Sequence, residues 1–96
     1  MSLGLLYAAT SLEQLANGHV PSKEQVSLGL EALDRLRHRG DCGQALHDAS
    51  ATLELFVATG GVVSHPAVAR ARYALLAAAV RRAMLSAKVN VELGRR

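Results

Sequence analysis

The sequence predicts an all-α fold: a small up-down bundle of about four helices, with a C-terminal helix longer than the rest. Three observations carry that expectation. Apolar residues recur at helical spacing in four successive segments. Residues that stop and start helices stand between them: Asn17-Gly18, Pro21-Ser22, Gly40-Asp41 and Gly60-Gly61. No long linker, internal repeat or low-complexity tract interrupts the 96 residues, so the whole chain reads as one helical domain.

The first helix is expected over about 3–17. Leu5, Ala8, Ala9, Leu12, Leu15 and Ala16 follow the i, i+3/i+4, i+7 rule, and Gly18 can take the left-handed conformation past the last turn. Ser11 and Gln14 also have capping-box spacing, which allows a later start. The second helix, about 22–39, has the clearest signals. Ser22 is the N-cap and Gln25 its capping-box partner; Val26, Leu30, Leu33 and Leu36 form one stripe. Glu31 and Arg35 sit four apart in the favourable order, while Arg35, Arg37, His38 and Arg39 put positive charge at the C-terminal end of the dipole.

A third helix, about 41–59, is expected to start at Asp41 with Gln44 three residues on. Cys42, Leu46, Ala49, Leu53, Phe56 and Gly60 fall on one line, and Gly61 closes the helix. The tight turn makes helices two and three an antiparallel hairpin. The fourth helix, about 65–93, opens on Ser64 as N-cap and Pro66 in the first turn, with Val63 stapling against Val68.

The fourth helix invites most of the functional reasoning. Ala69, Tyr73, Leu76, Val80, Met84, Ala87 and Val91 share one face, and Arg70, Arg81, Lys88, Glu92 and Arg95 line the opposite one. Between them runs a second apolar strip, Val68, Leu75, Leu85, Val89 and Leu93, interrupted by Arg82. The centre, Tyr73 to Val80, is apolar nearly all round, which predicts burial from more than one side. At roughly 40 Å the helix outruns its neighbours of about 22 to 30 Å, so another molecule is expected to cover its surplus apolar surface. Small side chains at Ala74, Ala77 and Ala78 suit close packing of two symmetry-related fourth helices in a homodimer. Leu85, Val89 and Leu93 are the expected anchors for a protein partner.

Composition narrows the function classes. Half the residues are hydrophobic and a fifth charged, so the chain is not disordered by composition. With no tryptophan or isoleucine and only Tyr7, Phe56 and Tyr73 as aromatics, the core is built from Leu, Ala and Val. The excess of arginine over lysine and the abundant alanine point to a GC-rich bacterial genome or a phage of such a host. One cysteine permits no intrachain disulfide and fits a reducing compartment. No signal-peptide pattern opens the chain, and Leu55 to Ala69, though uncharged, is too short and too interrupted to span a bilayer. A cytoplasmic location is expected. Met1-Ser2-Leu3 is compatible with a native start or a cloning remnant.

Charge is split along the chain. Lys23, Arg35, Arg37 and Arg39 face seven acidic groups before residue 65, a net of −3; after it, seven basic groups face only Glu92, a net of +6. Such a split marks either an anionic partner or a basic helix lying beside acidic ones. Arg70, Arg81, Arg82 and Lys88 are the residues a nucleic-acid contact would use, tracking phosphates. Against that reading stand Glu92 within the stripe and the lack of surface aromatics or a helix-turn-helix signature. A membrane-surface role is disfavoured by the small anchoring side chains.

Chemistry-bearing groups are sparse. His38, Cys42 and His47 are weak metal-ligand candidates, with Asp41, Asp48 and His19 to complete a set; their spacing matches no standard zinc motif, and no resident metal or cofactor is expected. Cys42, near Arg37 and Arg39 at a helix start, also has the setting of a redox-sensitive thiol, although its place on the apolar line favours an inert core cysteine. Nothing pairs a nucleophile with a base, and there is no hydrolase elbow, phosphate loop or HExxH. The expectation is a small non-enzymatic regulator that binds, and sequesters or inhibits, another protein.

Overall fold

The computed structural model describes residues 3–38, 43–61 and 64–94, with side chains throughout except at Arg37 and 86–94. Its elements are four helices: α1 (Leu3–Ala16), α2 (Lys23–His38), α3 (Gln44–Thr59) and α4 (Pro66–Gly94). Among the described residues there is no strand. The order, type and relative lengths of the elements are those the periodicity predicts.

Local chemistry sets the ends. At α2 the expected cap forms, with the Gln25 N–H donating to Ser22 Oγ at 3.2 Å. The Gln25 side chain does not turn back to complete the box. Its Nε2 donates instead to Ser11 Oγ (3.0 Å) and Gln14 Oε1 (2.7 Å) on α1. Ser11 in turn donates to the Tyr7 carbonyl at 2.8 Å, so its fully buried hydroxyl is satisfied on both sides. Ser11 is therefore a mid-helix core residue, not the late start of α1. Gly18 (φ 81°) closes α1, and α3 ends at Thr59 as expected, with Gly60 (φ 68°) rather than Gly61 in the left-handed capping position. The start of α3 departs more. It begins at Gln44 with Gly43 as an N-cap that supplies no side-chain hydrogen bond. Gln44 spends its amide on Asp48 Oδ1 at 2.9 Å, and Asp41 and Cys42 lie outside the described residues.

Side-chain neighbours give the topology. Gln25 reaches Ser11 and Gln14, and Gly29 meets Ala8, so α1 and α2 run antiparallel. Glu13 meets Arg81 and Gly18 meets Arg70, so α4 is antiparallel to α1 as well. With short connections placing α3 beside both α2 and α4, the bundle is up-down in cyclic order. All four helices contribute to one core, centred on Leu5, Leu12, Val26, Leu33, Leu53, Phe56, Tyr73 and Val80.

The helix enclosed from several sides is α1. No residue from Gly4 to Ala16 is exposed, and the most extensive inter-helix contacts are those of α1 with α4 and with α2. Glycine and alanine allow this. Gly4 packs on Ala32 and Gly29 on Ala8, bringing the two backbones together without side chains between them. Within the single chain, Tyr73 to Val80 is buried on one side only. Tyr73, Leu76, Ala77 and Val80 are core, while Ala74, Leu75 and Ala78 are exposed. Alanine is small enough to stand in water, but Leu75, 73% exposed, leaves a large apolar group on the outer side.

At 29 residues α4 spans about 43 Å and accounts for most of the 48 Å long axis, whereas α2 and α3, at 16 residues each, span about 24 Å. Among the described residues no helix is long and apolar enough to cross a membrane.

Candidate functional site

Viewed down its axis, α4 carries two apolar lines on opposite sides. The inner line, Ala69, Tyr73, Leu76, Ala77 and Val80, continues through half-buried Ala83 and Met84 and packs on the core. The outer line is Val68, Ala71, Leu75, Ala78, Arg82 and Leu85, all exposed. Its successive spacings are three, four, three, four and three residues, the a/d period of a coiled-coil seam. The large members are well exposed: Val68 at 69%, Leu75 at 73% and Leu85 at 58%. Elsewhere the exposed large hydrophobics are scattered; on α3, Leu55 and Val57 point to different sides.

Of the strip expected from the sequence, Val68, Leu75 and Leu85 stand in this line with Arg82 among them; the side chains of Val89 and Leu93 lie outside the described ones. Ala78 belongs to the line and Ala74 is exposed at its edge. Ala77 does not belong. At 2% exposure it is core, because it sits one turn from both Tyr73 and Val80. Ala71, absent from the expected strip, fills its place instead.

The basic residues divide differently from the expected stripe. Arg81 forms a bidentate pair with Glu13 of α1: Nε donates to Oε1 in a short contact and the second guanidinium nitrogen donates to Oε2 at 2.8 Å. The hydrogen bonds from Arg81 hold the Glu13 carboxyl below its usual range despite an opposing effect of burial, and Glu13 raises the Arg81 guanidinium correspondingly. The Arg70 guanidinium lies over Gly18 at the C-terminal end of α1, within 3.1 Å of where a Cβ would stand there. That end of a helix favours positive charge. Arg72 and Arg82 are exposed, and the side chain of Lys88 lies outside the described ones. Part of the split charge is thus matched within the chain, a basic α4 lying beside Glu13 of α1.

His38 and His47 are both exposed, the first at the end of α2 and the second in the first turn of α3. His38 Nδ1 is 3.0 Å from the Asp34 carbonyl, and in the tautomer with a proton there it donates to that carbonyl. Cys42, the third proposed ligand, lies outside the described residues. Among the described residues no three His, Cys, Asp or Glu side chains gather as a metal set would. Glu13 is the functional-scale residue that periodicity did not single out; the only clue was its lone negative charge at the edge of an apolar helix.

Comparison with protein-family models, curated proteins and solved structures gave no match to this chain.

Proposed function

We propose that this is a small non-enzymatic interaction protein that forms a homodimer and binds another protein, modulating it by occupying its surface. One observation carries the reading: the exposed apolar line on α4, on the side of that helix directly opposite the core. Fully burying a side chain of valine or leucine size stabilises by about 1.5–3 kcal/mol, so three such groups on one helix face are a substantial incentive to associate. Helix-on-helix or helix-in-groove contact is the mode such a face suits. Leu85, Val89 and Leu93 remain the proposed anchors for the second protein, and a bacterial, cytoplasmic setting fits the composition and lone cysteine.

The rival reading is nucleic-acid binding through Arg70, Arg81, Arg82 and Lys88. The Glu13 pair engages Arg81, one of those four groups, with α1, which disfavours a continuous phosphate-tracking row.

Two measurements test the reading together. Light scattering at tens of micromolar is expected to return about twice the 10.1 kDa chain mass, with Leu75→Asp returning the single-chain value. Titration with random duplex DNA at two salt concentrations is expected to show no binding. Tight, steeply salt-dependent binding by a monomeric protein would overturn the proposal in favour of the rival.

A further inference from the structure

The six outward residues of α4 are self-complementary in one direction only. Their positions are symmetric about a point between Leu76 and Ala77: Val68 mirrors Leu85, Ala71 mirrors Arg82, and Leu75 mirrors Ala78. Resting on the homodimer reading above, we propose that two copies pair antiparallel along this line, with a two-fold axis at its midpoint. Val68 then faces the partner's Leu85, Ala71 the partner's Arg82, and Leu75 the partner's Ala78.

Size and charge both select this arrangement. In antiparallel pairing an a position meets a d position, and Val68, Leu75 and Arg82 share one heptad register while Ala71, Ala78 and Leu85 share the other. Two of the three distinct layers therefore set an alanine against a larger side chain, the alternation that lets facing layers interdigitate. The Arg82 stem lies over the partner's Ala71 while its head reaches water at the edge. Parallel, in-register pairing would place Arg82 against the partner's Arg82 inside the seam, two like charges losing solvent together. The flanks follow the same rule. On this mirror Arg81 is level with the partner's Arg72 but on the opposite edge of the seam. Each is nearest an alanine across its own edge, the partner's Ala74 or the partner's Ala79. Arg81 also already carries its counter-ion, Glu13, from within its own chain.

The pairing has a geometric consequence. With the axis between 76 and 77, the start of the partner's α4 at Pro66 falls opposite residue 87, so the last turns of α4 extend past the seam. They remain available to a different protein, with Val89 and Leu93 as its anchors, since Leu85 is taken up in the seam.

Disulfide trapping in a Cys42→Ser background tests this. Val68→Cys and Leu85→Cys are purified separately, one carrying a mass tag, then mixed and mildly oxidised, with circular dichroism confirming helicity. The seventeen-residue offset between the two positions corresponds to about 26 Å along the helix, far beyond disulfide reach, so identical positions cannot join in an antiparallel pair. The expected result is a mixed disulfide in at least tenfold excess over either self-linked species. Self-linking of Val68→Cys, or of Leu85→Cys, would overturn the antiparallel seam. A dimeric mass by light scattering with no linkage of either kind would overturn it too while leaving the homodimer standing. A single-chain mass would remove both.

Discussion

A methyl group added at Gly29 would stand 2.8 Å from Cα and 2.9 Å from N of Ala8, backbone atoms that no rotamer change can move. On an exposed helix, glycine to alanine gains about 1 kcal/mol from propensity. Here the closeness of α1 and α2 reverses the sign. Gly29→Ala is expected to lower stability by roughly 1–3 kcal/mol as the helices are forced apart, read as a fall in the urea midpoint. An unchanged or raised midpoint would show that the interface yields easily. Glu13 and Arg81 offer a second test at this scale. Both side chains are about 40% exposed, so solvent screening limits their coupling to about 0.5–1 kcal/mol in a double-mutant cycle with Glu13→Gln and Arg81→Gln. Because the Glu13 carboxyl is held low in the fold, its contribution is present above the unfolded value near 4.5 and fades as pH falls through the lowered folded value. The cycle should therefore hold from neutral pH down to about 4.5 and shrink towards zero as pH falls further. A coupling that grows on acidification would contradict the pair.

At the scale of elements, helix ends and helix faces were legible to different degrees. Ser22 reads as a cap because its hydroxyl, one residue before α2, can reach only the free N–H groups of that first turn. Ser22→Ala is expected to cost about 1 kcal/mol, measured by thermal unfolding; no loss would mean that solvent satisfies the Gln25 N–H equally well. Gly18 was similarly readable from the left-handed turn it permits, whereas the close of α3 was read at Gly61 and falls at Gly60. Apolar lines were readable too, since a 3.6-residue period locates a face. What a period cannot say is which helix ends up in the middle. That depends on where two backbones approach, and of the residues responsible only Ala8 stands on a periodic line, while Gly4, Gly29 and Ala32 carry almost no periodic signal. Ala77 was misplaced for a related reason. In a run of alanines the inner and outer faces look alike, and only the flanking Tyr73 and Val80 distinguish them.

For the whole molecule, α1 is the enclosed helix and α4 is the one that faces outward along its length. Glu13 ties one flank of α4 to α1 through Arg81, Arg70 lies over Gly18 on the same flank, and the line from Val68 to Leu85 is left open. The core, aliphatic side chains with Phe56 and Tyr73, is drawn from all four helices of one chain, so disrupting the outer line is expected to dissociate the dimer without unfolding the bundle. Leu75→Asp places a charge in each copy of the seam and should raise the dimer dissociation constant by at least about 100-fold. Helicity by circular dichroism should stay at the wild-type level. Loss of helicity in this variant would place Leu75 in the core and overturn the division of α4 into two lines.

The most direct test of that division is the mass of the native protein by light scattering across a concentration series. The outward seam predicts a value that rises with concentration to about 20 kDa, twice the 10.1 kDa chain. A constant value near 10.1 kDa up to hundreds of micromolar would contradict it.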